Sequence, residues 1–201
     1  MFLIKIGKVS LRRPAIVVTV SGGETLSQVR KAKRLGAKIL ELRLDRFSLL
    51  EVTLVLNKIQ SYRKLGMPLI ATIRRRAERG GRDLPDEKRL KLFKTVLPSV
   101  DAIDVELASK KLAKRLIPLA HHQKRRAMVS YHNFSSTPPD KTLKKILLRA
   151  ERLGADLVKI AVTPSREGDV GRLLLFTYRH RKRGLVTISM GKKGRSSRVL
   201  G

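Results

Sequence analysis

The sequence predicts an α/β fold, a TIM-type (β/α)8 barrel, from two observations on its 201 residues. Short apolar runs rich in β-branched residues alternate with longer stretches that carry apolar residues at helical spacing, which predicts parallel strands covered by helices. Charged residues fall on one face of several runs, towards the carboxyl end, as expected for a barrel whose mouth carries a site. A doubly wound sheet is disfavoured because it buries both strand faces and gives these charges no common cavity.

The N-terminal segment, residues 1–11, alternates apolar residues with lysines and therefore predicts a strand or hairpin rather than a signal peptide. The seven apolar runs that follow are predicted to be strands and span residues 15–20, 38–44, 68–73, 102–107, 127–132, 156–162 and 185–190. The helical patterns between them span residues 24–36, 51–65, 87–97, 109–123, 140–153 and 166–183. We expect a single barrel domain over residues 1–201, truncated after Gly201 because no eighth strand is recognised.

The composition restricts the classes of function. The apolar runs are shorter than the roughly 18 to 20 residues that cross a bilayer, so no membrane association is expected. Cysteine is absent, which excludes a disulfide framework and a thiolate metal site and favours a cytoplasmic location. The formal net charge of +30 predicts nonspecific attraction to polyanions such as nucleic acid. The basic residues are dispersed, however, and aromatic residues make up 4% of the chain, which favours a solvated basic surface.

The run at residues 38–44 has two distinct faces. Glu41 and Arg43, with Asp45 just beyond, fall on one face, whereas the three leucines between and before them fall on the other. In the run at 102–107, Asp104 and Glu106 likewise share one face. This arrangement predicts an apolar face covered by helices and a charged face that points into the barrel.

Lys159 lies inside the apolar run at 156–162, where a parallel strand is buried. Lysine is rarely buried without a specific reason. One reading is a structural lysine whose amine reaches solvent or pairs with a carboxylate such as Glu106. The other is a nucleophile, because burial disfavours the charged form of an amine, and the neutral amine is the species that forms a Schiff base with a carbonyl compound.

His132 ends the preceding strand and is predicted to stand beside Lys159 across one strand spacing. A lone histidine near a strand end is usually a hydrogen-bonded structural residue. Next to a buried lysine amine, however, the two side chains have complementary roles. The imidazole can transfer protons, and the amine can activate a carbonyl group. The pair therefore points to catalysis more strongly than either residue alone.

Six short motifs follow one another along the chain. They are E-L-R-x-D at 41–45, T-I-R at 72–74, D-x-E at 104–106, S-Y-H-N-F at 130–134 with T-P at 137–138, V-K-I-A at 158–161 and S-M-G-x-x-G-x-x-S-R at 189–198. Together they resemble the motifs of type I 3-dehydroquinate dehydratases of the shikimate pathway. Class I aldolases share the barrel and the Schiff-base lysine, but the contexts of His132 and of residues 191–198 argue against them.

The resemblance implies a lyase that converts 3-dehydroquinate to 3-dehydroshikimate, with no metal and no organic cofactor. Lys159 would form an imine with the ring ketone, and His132 would remove a proton from the neighbouring carbon and then protonate the departing hydroxyl group. Arg198 would bind the substrate carboxylate. The residues that would contact the hydroxyl groups are Glu41, Arg43 and Arg74.

The segment after the third of the seven strands departs from the family pattern, R-x-x-x-E-G-G. Counting from Arg74 makes Glu78 the residue that orients the catalytic histidine, whereas counting back from the glycines puts Arg79 there. We favour Glu78 as the third catalytic residue. An arginine in its place would disfavour the imidazolium form of His132.

The sequence leaves a second class of function open. A barrel without its eighth strand exposes strand edges, so a homo-oligomer is expected, with a dimer as the simplest form. The alternative to the enzyme is a catalytically impaired basic barrel that binds nucleic acid or another polyanion. Polyanion affinity would fall steeply with salt, whereas turnover of a small substrate would not.

Overall fold

The computed structural model describes residues 4–11, 15–47 and 51–197. An antiparallel hairpin comes first, formed by β1 (Lys5–Ile6) and β2 (Val9–Ser10). Gly7 occupies its turn with a φ of 51°, in the left-handed region that glycine adopts without steric cost. The prediction of an N-terminal strand or hairpin is thereby met by a short hairpin.

A single curled sheet of seven parallel strands forms the barrel wall. Its strands, in spatial and chain order, are β3 (Ile16–Val20), β4 (Ala37–Arg43), β5 (Leu69–Thr72), β6 (Ala102–Glu106), β7 (Arg126–Asn133), β8 (Leu157–Val162) and β9 (Leu185–Ser189). Each strand pairs with its successor in the chain, which is the topology of a (β/α) barrel. The predicted α/β barrel fold is confirmed, and the seven strands begin and end within one residue of their predicted limits.

In the described residues, six α-helices lie between the strands and cover the outer face. They are α1 (Leu26–Arg34), α2 (Val52–Arg63), α3 (Asp86–Val96), α4 (Lys110–His122), α5 (Asp140–Arg152) and α6 (Glu167–Arg179). The helix α5 shows why they pack there: its buried residues recur at helical spacing, at Leu143, Ile146, Leu147 and Ala150. The last helix ends at Arg179, earlier than predicted, because residues 180–183 form turns that lead into β9.

The buried apolar side chains form two clusters. The larger one fills the space between the sheet and the helices. The smaller one closes the amino end of the barrel interior and contains Ile4, Ile6, Ile39, Ile70, Ala102, Met128 and Leu157. The hairpin therefore seals the bottom of the barrel, while the opposite end stays available for polar groups.

Within the described ranges, β3 and β9 each pair on one side only. Apolar side chains are exposed along these edges, with Ile16 at 57%, Val17 at 43% and Val186 at 38% of their maximum. Among these residues no helix is long and apolar enough to cross a membrane.

Candidate active site

The polar residues of the barrel interior gather at the carboxyl ends of β4 to β8. Strand register places Ser130 of β7 beside Lys159 of β8, and His132 beside Ala161. The histidine therefore stands on the same face as the lysine but two residues further towards the mouth, not directly beside it as expected.

Lys159 is largely enclosed, with 16% of its side chain exposed. Its Nζ lies 3.5 Å from Asp104 Oδ2 and 3.7 Å from Glu41 Oε2. The suggestion that Glu106 could be its partner is wrong, because the Glu106 carboxylate is occupied by Arg89, the Arg75 backbone N–H and Ser109. The amine thus faces two carboxylates from two other strands.

Asp104 is the centre of the buried charge cluster. Arg74 donates to its Oδ2 at 2.8 Å and Ser130 to its Oδ1 at 2.5 Å. Burial raises the pKa of the Asp104 carboxyl, but the charges of Arg74 and Lys159 outweigh it and hold that pKa well below its usual range. Arg74 itself is 3% exposed, and although burial lowers its pKa, Asp104 and Glu106 raise it above the ordinary value. Both groups are therefore charged at neutral pH.

Glu41 is held by two threonines on the strands either side of β4. Thr72 donates to its Oε1 at 2.8 Å and Thr19 to its Oε2 at 3.2 Å. With both oxygens engaged, the carboxylate is fixed in the same layer as Lys159. Its side chain is 11% exposed, so one edge remains open to the barrel mouth.

His132 and Glu78 form the second functional pair. The histidine Nδ1 lies 2.7 Å from Glu78 Oε2, and both side chains are mostly buried. The imidazole also stacks on Phe134, with ring centroids 5.9 Å apart and an interplanar angle of 8°. Arg79 lies on Phe134, with its guanidinium carbon 4.1 Å from the ring centroid. The structure thus brings Glu78, and not Arg79, to the imidazole nitrogen.

Asp45 anchors the loop that carries Glu78. Its carboxylate accepts hydrogen bonds from the Arg74 and Gly81 backbone N–H groups at 3.0 and 2.8 Å. The Arg43 guanidinium donates to both carboxylate oxygens, at 2.9 and 2.8 Å. Burial raises the pKa of the Asp45 carboxyl, but these donors outweigh it and leave that pKa below the ordinary value. Gly80 folds so closely onto this loop that a Cβ there would lie 2.1 Å from the Arg74 carbonyl oxygen. A side chain at position 80 therefore does not fit this loop conformation.

The remaining predicted site residue, Arg198, lies outside the described residues. The last described residue, Ser197, is almost fully buried, and its hydroxyl accepts the Ser189 N–H at 3.0 Å. Within the described parts of the chain, no group of three or more histidine or acidic side chains is arranged to hold a metal ion.

Arg89 of α3 is a buried charged residue that the sequence motifs do not include. This residue is 1% exposed and reaches from the helix to Glu106 and to the Ile73 carbonyl oxygen. A signal was present, because Arg89 shares the buried face of α3 with Phe93 and Val96, at spacings of four and seven residues. An arginine at a core position of an amphipathic helix indicates a buried anion.

Comparisons with known proteins agree on one family. A family model for type I 3-dehydroquinase matches residues 15–201. The 3-dehydroquinate dehydratase of Methanococcoides burtonii is 36% identical over 98% of this chain and 85% of that protein. The crystal structure of type I 3-dehydroquinate dehydratase from Clostridium difficile with covalently modified comenic acid covers 97% of this chain and 83% of its own, with 30% identity and a TM-score of 0.88. Deoxyribose phosphate aldolase from Aeropyrum pernix, at 20% identity and a TM-score of 0.59, covers 94% of this chain and 80% of its own and shares the fold alone.

Proposed function

This chain belongs to the type I 3-dehydroquinase family, and we propose that it is a lyase that dehydrates 3-dehydroquinate to 3-dehydroshikimate through an imine on Lys159. The observation that carries the proposal is the convergence of an enclosed lysine amine and a histidine–carboxylate pair at one end of the barrel. Nucleophile and proton-transfer group then act on neighbouring atoms of one substrate.

The lysine step balances without any other reagent. The neutral Lys159 amine adds to the ring ketone, and loss of one water with uptake of one proton gives a protonated imine. That proton is released again when the product imine is hydrolysed. This imine withdraws electrons, so the neighbouring carbon becomes acidic. After that proton leaves, the resulting enamine expels the hydroxyl group and regenerates the imine. One water hydrolyses the product imine and frees the lysine, so the net change is the loss of one water.

His132 is proposed to move both protons. The Glu78 carboxylate at Nδ1 accepts a hydrogen bond from that nitrogen, which leaves the Nε2 lone pair free as the base. Nε2 takes the proton from the carbon next to the imine and returns it to the departing hydroxyl, which leaves as water. Glu78 stabilises the imidazolium between these two steps.

The charged neighbours are proposed to hold the imine and the substrate. Glu41 and Asp104 face Lys159 and can balance the positive charge of the protonated imine. Arg43 and Arg74 are oriented by their carboxylate partners, and with Glu41 they are proposed to contact the substrate hydroxyl groups. Arg198 is proposed to bind the substrate carboxylate. The chemistry calls for no metal or organic cofactor, because the lysine imine supplies the electron sink.

The quaternary structure and location form a separate part of the proposal. Exposed apolar residues along β3 and β9 support association of copies into a homo-oligomer, with a dimer as the simplest case. Light scattering on the pure protein tests this, since a stable monomer would contradict it. A biosynthetic enzyme of this class is expected in the cytoplasm.

Borohydride reduction in the presence of 3-dehydroquinate tests the proposed function. The wild-type protein should turn substrate over and gain the mass of the reduced ligand on the peptide that contains Lys159. Lys159→Ala should lose both the adduct and turnover, whereas His132→Ala should lose turnover by about 10² to 10⁴-fold and still be trapped. Lys144→Ala, an exposed lysine of α5, is the matched control and should behave as wild type. Labelling away from Lys159 would refute the imine.

A further inference from the structure

Six charged side chains of alternating sign form a continuous charge series. The series begins at Arg89 on α3, includes the amine of Lys159 and ends at Glu41. In order along this charge series they are Arg89, Glu106, Arg74, Asp104, Lys159 and Glu41. The first four are at most 3% exposed, so water cannot compensate any of their charges. The charge of each side chain is therefore compensated only by its neighbours in the series, and removing a charge at one end alters the ion pairs at the other.

Arg89 is the outer end of the charge series. Its Nε and one terminal nitrogen donate to the Ile73 carbonyl oxygen at 3.0 and 2.8 Å. The other terminal nitrogen donates to Ser109 at 3.0 Å and to Asp86 at 2.9 Å. The first terminal nitrogen also contacts Glu106 Oε2. All three nitrogens of the guanidinium are thus engaged, and the group is fixed in one position.

Glu106 faces two arginines. Its Oε2 forms an ion pair with Arg89. Its Oε1 lies 3.5 Å from the Arg74 side chain and accepts the Arg75 N–H at 2.9 Å. Arg74 in turn makes its shorter contacts with Asp104 and Ser130, at 2.8 and 2.6 Å. The distances indicate that Arg89 satisfies Glu106, which leaves Arg74 committed to Asp104.

One oxygen of Asp104 is shared between the two cations. Oδ2 lies 2.8 Å from the Arg74 side chain and 3.5 Å from Lys159 Nζ. Arg74 and Lys159 therefore compete for this oxygen, and the closer Arg74 stands to it, the weaker its pairing with Lys159. Only the neutral amine attacks a ketone, so the strength of the Asp104–Lys159 pairing bears on the reactivity of the lysine.

We propose that Arg89 is a positioning residue for the reaction: by neutralising Glu106 it keeps Arg74 on Asp104, and so limits the pairing of Asp104 with Lys159. The inference rests on the proposed function, because it assigns Arg89 an effect on imine formation at Lys159. Arg89 lies away from the Lys159 amine and acts through four successive ion pairs: Arg89–Glu106, Glu106–Arg74, Arg74–Asp104 and Asp104–Lys159.

Removal of the Arg89 charge should redistribute the pairs. Glu106, left buried with a free negative charge, would draw Arg74 towards itself. Asp104 would then pair more strongly with Lys159 and favour its ammonium form. The other charged groups around the amine are unchanged: Glu41 faces it from β4, and the His132–Glu78 pair stands nearer the mouth.

The test is the rate of substrate-dependent borohydride trapping as a function of pH. In Arg89→Met, trapping at neutral pH should be about tenfold slower, and the pH of half-maximal trapping should rise by about one unit, the equivalent of that factor. Arg89→Lys keeps a positive charge beside Glu106 and should stay within about twofold of wild type. Lys88→Met, an exposed neighbour on the same helix, is the matched control for loss of a charge.

The double variant Arg89→Met/Glu106→Gln separates positioning from mere structural support. With Glu106 neutral, nothing competes for Arg74, so trapping should return to within about threefold of wild type. A structural role through the Ile73 carbonyl would not be rescued, because that contact is absent in both variants. Equal impairment of the single and double variants, or wild-type behaviour of Arg89→Met, overturns the proposal.

If Arg89→Met does not fold, Arg89→Lys and the double variant still test the proposal. Both are expected to be trapped at close to the wild-type rate, and slow trapping in both would overturn the positioning role. A wild-type protein that gives no Lys159 adduct refutes the proposed function itself. The two failures are thus distinguishable by the wild-type reaction alone.

Discussion

The two ends of the barrel interior differ in chemistry although the same five strands build both. The amino end carries Ile39, Ile70, Ala102, Met128 and Leu157, from β4 to β8 in turn. Two residues further along each of these strands, the interior carries Glu41, Thr72, Asp104, Ser130 and Lys159. One repeat of strand alternation, roughly 6.6 Å, separates an apolar layer from a layer of charged and hydroxyl groups.

The apolar end of the barrel helps to explain how charged groups are kept at the other end. Ile4 and Ile6 of the N-terminal hairpin close the apolar end and exclude water from beneath. Charges above such a floor interact strongly with one another, because no solvent screens them from that side. They must then be paired or hydrogen-bonded, and Asp104, Glu41 and Glu106 each have two or more partners.

The largest effect is expected from breaking the charged layer at Asp104. Asp104→Ala leaves Arg74 and Lys159 facing each other without a shared anion, which should cost about 3 to 5 kcal/mol of unfolding free energy. Turnover should fall at least about 100-fold, the scale of losing a proton-transfer or positioning group. Urea unfolding and a turnover assay measure the two effects. A stable and active Asp104→Ala would mean that the layer does not depend on its charges.

The apolar layer should respond in stability alone. Ile6→Ala removes a side chain that is 1% exposed and should lower the unfolding free energy by about 2 to 5 kcal/mol. Turnover measured well below the melting temperature should stay within about twofold, because the charged layer is intact. Leu35→Ala, at a position 74% exposed, is the control and should change neither quantity. A large loss of turnover in Ile6→Ala would show that the two layers are coupled.

Sequence patterns predicted the fold closely because both layers follow simple periodicities. The strands are apolar and bounded by polar turns, and α5 has buried residues at regular spacing, so local rules and packing agree. The alternation of Glu41 with leucines in β4 also predicted which face is charged. Where residue type and spacing decided the answer, the sequence was sufficient.

Residue type and spacing did not predict which side chains contact one another within the charged layer. Asp104 and Glu106 share a face of β6, and contacts from other elements decide which of them faces Lys159. Arg89, Ser109 and the Arg75 N–H occupy Glu106, whereas Asp104 lies 3.5 Å from the lysine amine. Spacing likewise left Glu78 and Arg79 open. The loop resolves their positions, because Arg79 adopts a left-handed φ of 61° that turns its side chain onto Phe134. These outcomes depend on three-dimensional register and loop conformation.

A smaller effect is expected from the loop above the charged layer. Gly80→Ala puts a Cβ against the Arg74 backbone, which cannot give way as a side chain could, so the loop must shift and carry Glu78 away from His132. We expect kcat to fall about tenfold, with KM changed less, since general acid–base catalysis is affected first. Gly23→Ala, where a Cβ meets nothing within 4 Å, is the matched control. An unchanged kcat in Gly80→Ala would show that the conformation of this loop does not affect catalysis by His132.

The smallest effect is expected from two carboxylates, one at each end of the barrel. Asp45 holds the loop at the charged end, and Asp156 accepts the Ala127 N–H at 2.8 Å at the amino end. Burial raises the pKa of both carboxyls, but their hydrogen bonds outweigh it and leave each pKa below its ordinary value. A lowered pKa stabilises the fold at pH values above about 3.9, the unfolded value, and this contribution disappears as pH falls through the folded pKa.

Asp45→Asn and Asp156→Asn should therefore both be less stable than wild type at pH 7, with the difference shrinking as the pH is lowered below about 4. Urea unfolding across a pH series measures this convergence. The ends should separate in turnover: Asp45→Asn weakens the loop that carries Glu78 and should lower kcat several-fold, whereas Asp156→Asn leaves the charged layer untouched and should keep it. Equal loss of kcat in both variants would show that strand anchoring at either end, rather than the charged layer itself, sets the rate.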